Sequence, residues 1–264
     1  MVQLDIKQIH RHLLDIAVRI NCICEEHEIP LYMISGTMLG AVRHRGFIPW
    51  DDDMDFAIPY EFYDELLRIL NEELPESLRC ITFDTSDSYK VPWLKVEDIT
   101  TLVIDNNLDL PEDKMPGLTI DIFPLVSCER MTCMTSVKRI QKLLSLLRVA
   151  YSVSDGKNKV LKNILKRIIR FFLPLTPTGI NVRIMKRLKT ITPGNYYIIP
   201  VDPNYYGRYF PKKWFFPFIK YPFENHVFLG VADYDSYLAT LYGDYMQLPP
   251  KEKRRVHCGE VFLK

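Results

Sequence analysis

The sequence predicts an α+β fold: a mixed β-sheet core with flanking helices and a basic helical insertion. Apolar residues recurring every three or four positions predict one amphipathic helix over residues 4–28. A stretch of opposite character, residues 138–189, carries fourteen Lys or Arg and one acid, Asp155. Short apolar, β-prone runs, some of them bounded by Gly or Pro, predict strands at residues 31–34, 54–58, 79–83, 92–104 and 118–123.

Proline and glycine residues mark the ends of several of these elements. Pro30 ends the first helix, and residues 35–37 (Ser-Gly-Thr) are expected to close the following strand with a turn. A short helix over 38–45 should end at Gly46, and an extended segment then leads into the acidic run 51–55. Further helices are expected at 61–73 and near 233–242.

Composition narrows the class of protein. The chain has 264 residues, 47% of them hydrophobic and 25% charged, which is ordinary for a folded globular protein. Of its 34 basic and 33 acidic residues, the basic stretch holds fourteen and one, so the remainder has a balance of −12. Such segregation indicates a partner, and nucleic acid is disfavoured because no stacking or recognition motif accompanies the charge.

Targeting and redox signals are weak. The first residues lack the apolar region of a secretory signal, and no run of about 18 apolar residues could span a bilayer. We therefore expect a cytoplasmic protein, with its six cysteines reduced and mostly in the core.

Two carboxylates stand at positions i and i+2 in the acidic run. Asp53 and Asp55 flank Met54, and on a strand such residues share one face. Like charges about 5–7 Å apart repel strongly unless a cation lies between them. Oxygen-only ligands suit Mg²⁺ or Mn²⁺, so the pair predicts a hard divalent metal. The alternative is a solvated cluster at a helix cap.

A candidate phosphate site lies upstream. A strand running into Ser35, Gly36 and Thr37 before a helix presents backbone N–H groups and a hydroxyl to an anion. Strand, Gly turn, short helix and a strand with acid-x-acid is the core signature of the nucleotidyltransferase fold. Asp121, the one acid in the apolar run 118–124, is the candidate third carboxylate, with a buried structural acid as the alternative.

Residues 34–55 (ISGTMLGAVRHRGFIPWDDDMD) resemble the hallmark motif of the LicD family of phosphotransferases, to which fukutin and fukutin-related protein are related. Two later stretches resemble the family as well, residues 120–124 (IDIFP) and 241–250 (LYGDYMQLPP) followed by Lys253, Arg254 and His257. Together the matching segments span nearly the whole chain.

This resemblance implies a nucleotidyltransferase-like core that takes a CDP-alcohol donor, typically CDP-choline. Such an enzyme moves the phospho-alcohol onto a sugar of a cell-surface glycan precursor and releases CMP. Asp53 and Asp55 then become metal ligands, and Asp121 a third ligand or the general base. The turn at 35–37 becomes the phosphate-binding segment.

Other residues near these motifs are weaker candidates. Arg43 and His44 could contact phosphate, although cations at a helix C-terminus need no ligand. Lys95 lies on a predicted strand facing the site and is a candidate donor-phosphate contact. Substrate contacts are also considered for three residues that have ordinary structural explanations: Trp50, Asp52 and His257.

The chain is expected to have three parts: a catalytic core at 1–134, a basic helical insertion at 135–192, and an aromatic-rich part at 193–264 that completes the catalytic domain. In the insertion, apolar pairs and cations alternate over 158–173, which favours an interfacial helix on an anionic membrane, although a bundle helix shows similar spacing. The enzyme would then lie at the inner face of the membrane, near a lipid-linked acceptor.

Two rival functions share these residues. One is a nucleotidyltransferase that makes an NDP-compound from an NTP and releases pyrophosphate. The other is a non-catalytic domain that binds glycan or membrane. The three acids Asp53, Asp55 and Asp121 argue against the second, because a binding module has no need of carboxylates gathered at one site.

Overall fold

A computed structural model of the chain describes residues 1–85, 91–104, 115–151, 176–254, 256 and 258–264. This part contains six α-helices and twelve β-strands. The helices are α1 (Ile6–Glu26), α2 (Ser35–His44), α3 (Tyr63–Glu73), α4 (Arg130–Tyr151), α5 (Pro177–Leu188) and α6 (Tyr234–Tyr242). The strands are β1 (Val2–Gln3), β2 (Tyr32–Met33), β3 (Asp55–Pro59), β4 (Leu78–Ile81), β5 (Leu94–Asp98), β6 (Thr101–Ile104), β7 (Leu118–Cys128), β8 (Tyr196–Ile198), β9 (Phe210–Pro211), β10 (Ile219–Phe223), β11 (His226–Gly230) and β12 (Glu260–Leu263).

The main sheet is mixed. Its order is β2-β3-β7-β5-β4, and β8 and β9 extend it from the far end of β7. Only the β3–β7 pair is parallel among the described strands of this sheet, and the other pairs are antiparallel. With helices packed around this sheet, the prediction of an α+β fold with a mixed sheet is confirmed.

Two smaller sheets border the main one. β1, β12 and β6 form an antiparallel sheet that joins the two ends of the chain, with Val2 opposite Leu263. β10 and β11 form a hairpin whose Phe223 and Phe228 pack in the core. The hairpin lies beside α2, because Glu224 donates its backbone N–H to Arg45 and accepts the N–H of Phe47 on its carboxylate.

Helix α1 confirms the predicted amphipathic helix, two residues shorter at each end. Asp5 caps it by accepting the backbone N–H of Gln8, whose side chain accepts the N–H of Asp5 in return. Its apolar stripe is fully buried at Leu13, Ile16 and Ile20. The spacing of apolar residues therefore identified the face that packs against the sheet.

Two local predictions were wrong. Residues 35–37 do not form a turn after the strand but the first turn of α2, where the backbone N–H of Met38 donates to Ile34. The predicted strand 92–104 is two strands in different sheets, because the Asp98 carboxylate accepts both the N–H and the hydroxyl of Thr100 and so turns the chain between β5 and β6.

The described parts of the basic insertion are packed on the body of the protein. α4 buries Cys133, Val137 and Ile140, and α5 buries Ile180 and Ile184, in the same hydrophobic core as the sheet. Residues 158–173, predicted to be an interfacial helix, lie outside the described residues. The division at 134 and 192 stays a prediction, and α4 begins at Arg130, ahead of the first boundary.

None of the helices that the structure describes is both long and apolar enough to cross a membrane. No cysteine is in a disulfide, and four of the six are buried, at positions 24, 80, 128 and 133. The expectation that most cysteines lie in the core is confirmed, and their reduced state stays a prediction.

Candidate active site

A cavity of about 520 Å³ lies where the N-terminus of α2 meets strands β3 and β7. Five carboxylates line it, together with polar and apolar side chains from distant parts of the chain. The acids are Asp51, Asp53, Asp55, Asp121 and Asp202; the other lining residues are Ser35, Gly36, Leu39, Ile48, Trp93, Phe123, Asn204, Tyr205, Arg208, Leu241 and Tyr242.

Asp55 and Asp121 are neighbours across the parallel pair of strands. They stand directly opposite in the β3–β7 register, and the backbone N–H of Asp121 donates to Met54 at 3.2 Å. Adjacent strands are about 4.8 Å apart, so the two side chains leave the sheet side by side on one face. Burial, followed by the charges of Asp53 and Asp121, holds the pKa of Asp55 well above its ordinary value.

Lys95 supplies a cation at the same place. It is opposite Asp121 in the antiparallel β5–β7 register, and its Nζ lies 2.7 Å from Asp121 Oδ1. Three adjacent strands thus place two carboxylates and one ammonium group side by side: Asp55, Asp121 and Lys95. The predicted strand position of Lys95 places it beside the carboxylates, although it does not line the cavity itself.

The start of α2 holds Asp55 from the other side. The hydroxyl of Thr37 accepts the backbone N–H of Asp55 at 2.8 Å, and the Ser35 side chain hydrogen-bonds to the Asp55 carboxylate. Ser35 has a φ of 48°, in the left-handed region that a non-glycine residue rarely occupies, so the backbone is strained where it meets the cavity. Thr37 is buried and anchors the strand, whereas Ser35 and Gly36 face the cavity.

A chain of hydroxyl groups links this corner to the C-terminal third of the protein. Ser35 Oγ is 2.6 Å from the Tyr205 hydroxyl, which is 3.0 Å from the Tyr237 hydroxyl. The backbone N–H of Ser35 donates to Tyr237 at 3.3 Å. The strained residue is therefore fixed by two buried tyrosines that come from far along the sequence.

Gly36 allows Asp51 to approach α2. A Cβ atom on Gly36 would lie 2.7 Å from Asp51 Oδ2, closer than Cβ atoms in proteins normally approach another heavy atom. Burial and the neighbouring Asp53 raise the pKa of Asp51 to about 8. The absence of a side chain at this position thus leaves room for a carboxylate in the cavity.

Replacement of Gly36 by alanine is expected to impair turnover more than folding. The added methyl group meets the end of a side chain, so the protein can relax by moving Asp51 at a small cost in stability. A shift of about 1 Å in a site group can lower the rate about 10²-fold. Steady-state kinetics and urea unfolding of Gly36→Ala check this, with Gly179→Ala in the first turn of α5 as the matched control. Equal effects of both variants on turnover would contradict it.

Several cavity residues were not predicted from the sequence. Asp202 is 9% exposed and follows the apolar run 197–201, and its carboxylate accepts the N–H of Asn204 at 2.8 Å. Arg208 reaches the cavity from the same loop and donates to the carbonyl of Thr240. A lone acid at the end of an apolar run was a usable signal, since it is the one that singled out Asp121. Nothing local distinguished Asn204 or Arg208.

Other predicted residues lie outside the cavity lining. Arg43 donates to the carbonyl of Tyr245 at 2.7 Å. The Trp50 ring is covered by the Arg254 guanidinium, 4.0 Å from the ring centroid, and has His44 at its edge at 6.4 Å. Burial lowers the pKa of His44, and the nearby charge of Arg43 adds to the shift. His257 is outside the described residues.

Asp52 is turned away from its acidic neighbours. It is 1% exposed, and its Oδ2 accepts the backbone N–H of Cys258 at 2.7 Å. We expect Asp52→Ala to lower the free energy of unfolding by about 1–3 kcal/mol, because it leaves a part-buried N–H group without its acceptor. Asp52→Asn, which keeps an acceptor oxygen, should lose less in urea unfolding. Loss of turnover with unchanged stability would instead favour the predicted substrate contact.

The metal site stays a prediction. Among the described residues, no three His, Cys, Asp or Glu side chains are gathered closely enough to surround a metal ion as they stand. Burial raises the pKa of Asp55, and the charges of Asp53, Asp121 and Asp202 raise it further, so all three act on Asp55. Oxygen-only donors that repel each other are the chemistry typical of Mg²⁺ or Mn²⁺ sites.

The part of the chain that holds Asp53, Asp55 and Asp121 is similar to a nucleotidyltransferase domain. Residues 28–141 match the family model described as LicD/FKTN/FKRP, nucleotidyltransferase domain. Over this part of the chain, 114 of its 264 residues, the sequence is similar to the LicD family.

Two kinds of relative accompany the family match. The chain is 28% identical over 270 aligned residues, 97% of each chain, to the lipopolysaccharide cholinephosphotransferase LicD of Haemophilus influenzae. It is also 49% identical over 45 residues to an uncharacterised protein of Rickettsia prowazekii, covering 17% of each chain. A third match, to an uncharacterised protein of Rickettsia typhi, is 53% identical over 36 residues, 14% of this chain and 12% of the other.

Proposed function

We propose that this chain transfers phosphocholine from CDP-choline to a hydroxyl group of a sugar in a cell-surface glycan precursor, such as that of lipopolysaccharide, and releases CMP. The named activity of the Haemophilus relative, which is similar along nearly the whole chain, supports the transferred group and the acceptor class. The cavity supports the size of the donor, because about 520 Å³ is within the usual range of about 300–1,000 Å³ for small-molecule sites.

One observation carries the proposal: Asp55, Asp121 and Lys95 stand in register on three adjacent strands at the edge of the cavity. Phosphoryl transfer needs groups that hold a diphosphate in line with the attacking hydroxyl and balance its charge. Two carboxylates and one ammonium group in a row provide both negative and positive charge on a rigid sheet. Sites held on strands keep such geometry better than sites on loops.

In the transfer step, the acceptor hydroxyl oxygen forms a bond to the choline-bearing phosphorus. The bond from that phosphorus to the bridging oxygen of the diphosphate breaks, and CMP leaves with the electron pair. Asp121 is the candidate base for the hydroxyl proton, since it is held on β7 and its charge is balanced by Lys95 at 2.7 Å. Arg208 and the start of α2 at Ser35 are candidates for the phosphate oxygens.

We assign Mg²⁺, or Mn²⁺, to the carboxylates Asp53 and Asp55, with Asp121 either as a third ligand or as the base. Such an ion, when bound, would neutralise charge on the diphosphate and on the departing CMP. The residues themselves favour a cation, because burial and mutual repulsion make ionised Asp55 unfavourable without one.

The aromatic wall of the cavity suits the choline group. Trp93 and Phe123 have ring centroids 4.9 Å apart and both line the cavity. The faces of aromatic rings attract quaternary ammonium groups, which cannot donate hydrogen bonds. We therefore place the choline end of the donor near these two rings.

The acceptor is proposed to be lipid-linked and to be reached at the inner face of the membrane. The sequence of residues 158–173, basic and periodically apolar, supports peripheral attachment to an anionic surface. Nucleic acid is not proposed as a partner.

The decisive experiment offers the purified protein two donors. With Mg²⁺, CDP-choline and a sugar acceptor, we expect CMP and a choline-bearing product by mass spectrometry. With CTP and phosphocholine, a nucleotidyltransferase would release pyrophosphate instead, and we expect none. The double variant Asp55→Asn, Asp121→Asn should form neither product.

Binding separates the enzyme from a non-catalytic domain. Isothermal titration of the wild type with CDP-choline in Mg²⁺ should show heat that Mg²⁺-free buffer abolishes. Absence of binding in both buffers, together with absence of turnover, would favour a glycan- or membrane-binding module.

A further inference from the structure

A second concave surface lies between helices α4 and α5. It is a groove of about 580 Å³ on the described part of the basic insertion. Its lining comprises five cationic side chains, one apolar residue and one hydroxyl: Arg139, Lys142, Leu143, Arg183, Lys186, Arg187 and Thr190. We call this surface the α4–α5 groove.

Among the described residues that line the α4–α5 groove, the cations have no acidic partner. No acid lines it, and none of the five is ion-paired within the part of the chain that the structure describes. Asp64 and Asp84 line a neighbouring cavity that Lys186 also borders, and Asp64 is paired with Lys189 there. Five like charges around one concavity repel each other, and binding of an anion in the groove would reduce this repulsion.

The position of the α4–α5 groove is fixed by the buried apolar residues of the two helices and not by its cationic side chains. Val137 and Ile140 of α4, and Ile180 and Ile184 of α5, are buried in the core and fix the two helices against the sheet. The charged side chains therefore project from a rigid pair of helices, and Arg139, Lys142 and Arg183 are exposed. A rigid, exposed array suits an anion that approaches from outside the protein.

We propose that the α4–α5 groove binds the phosphate head group of an anionic membrane lipid. Five cations exceed what one free phosphate balances, whereas a lipid surface presents many phosphates at once. Leu143 gives the groove an apolar strip that suits the glycerol and first acyl carbons. The lining has no aromatic ring on which a nucleic-acid base could stack, which disfavours RNA or DNA. This proposal is independent of the transferase activity and of residues 158–173.

The test uses flotation of the full chain with vesicles. Wild type should float with vesicles of phosphatidylglycerol and phosphatidylcholine at low salt. It should stay in the bottom fraction with vesicles of pure phosphatidylcholine, and it should dissociate from the anionic vesicles as the salt concentration is raised. Arg139→Glu with Arg183→Glu, one change on each helix, should lower the partition coefficient at least about tenfold, since each cation near the surface contributes appreciably.

The matched control is Arg11→Glu with Arg19→Glu, two exposed arginines of α1, which changes net charge equally. This control should keep most of the binding. Equal loss in both double variants would mean that net charge alone matters and would overturn the proposal, as would wild-type binding by the groove variant. Release of the wild type by inorganic pyrophosphate at constant ionic strength would identify a soluble phosphate as the ligand and would also overturn it. Circular dichroism of both variants verifies that they fold.

Discussion

Asp55→Asn is expected to abolish turnover while the folded protein becomes more stable. The carboxylate is the centre of the cluster proposed to hold the metal ion, and loss of a group on which stabilisation of transition-state charge depends lowers rates about 10²–10³-fold. A variant that keeps more than a tenth of wild-type turnover would sink the assignment. Asp64→Asn, which removes an exposed carboxylate from an ion pair with Lys189, is the matched control and should keep full activity.

The stability of Asp55→Asn should depend on pH in a defined direction. Because burial, Asp53 and Asp121 raise the pKa of Asp55 in the folded state, the folded protein holds this proton more tightly than the unfolded chain does. The carboxyl group therefore costs no stability below the unfolded pKa of about 3.9 and an increasing amount as pH rises toward the folded pKa. Asparagine has no such cost.

Thermal unfolding in a metal chelator measures this difference. The gain in Tm of Asp55→Asn over wild type should be larger at pH 7 than at pH 5. A gain that is absent, or equal at both pH values, would show that Asp55 is not in the repulsive cluster that the folded structure places around it.

Asp121→Asn is expected to lower turnover about 10²–10⁴-fold, the range over which a positioned acid or base contributes. Its dependence on Mg²⁺ distinguishes the two roles of this residue. If the Mg²⁺ concentration needed for half-maximal rate rises strongly, Asp121 is a metal ligand. If that concentration is unchanged while the rate collapses, Asp121 is the base.

The ion pair with Lys95 gives this prediction a second readout. Lys95→Met alone leaves Asp121 beside Asp55 without a nearby cation, so it should also impair turnover. Because the two residues touch, the double variant should lose less than the product of the single losses. Lys189→Met, at the exposed ion pair with Asp64, is the control for loss of a lysine and should have little effect. Multiplicative losses would show that Lys95 and Asp121 act independently.

Much of the fold was predictable because its signals are local. The apolar period of α1, the β-prone runs of β2 and β3, and the lone Asp121 on β7 all follow from a few neighbouring residues. Ser35 shows where such reasoning ends: its sequence context indicates a turn, yet the tyrosine hydroxyls of Tyr205 and Tyr237 hold it in the first turn of a helix. Contacts of this kind have no local signature.

Only some of the residues that line the cavity could be predicted from the sequence. The acidic run drew attention to Asp51, Asp53 and Asp55, but the separate role of Asp52 depends on Cys258, which lies at the other end of the chain. The i and i+2 argument was also incomplete, because β3 begins at Asp55 and Asp53 precedes the strand. Asp202 enters the cavity from a loop whose path follows from the pairing of β8 with β7.

The hydroxyl link from Ser35 to Tyr205 and Tyr237 joins positions 170 and 202 residues apart. During synthesis, the acidic run and β7 emerge from the ribosome long before the tyrosines that hold Ser35 in place. Closing such long loops is entropically costly and slows folding. An unfinished chain would therefore carry the carboxylates without the finished cavity, and competence for catalysis should arrive late and in one step, after α6 has docked.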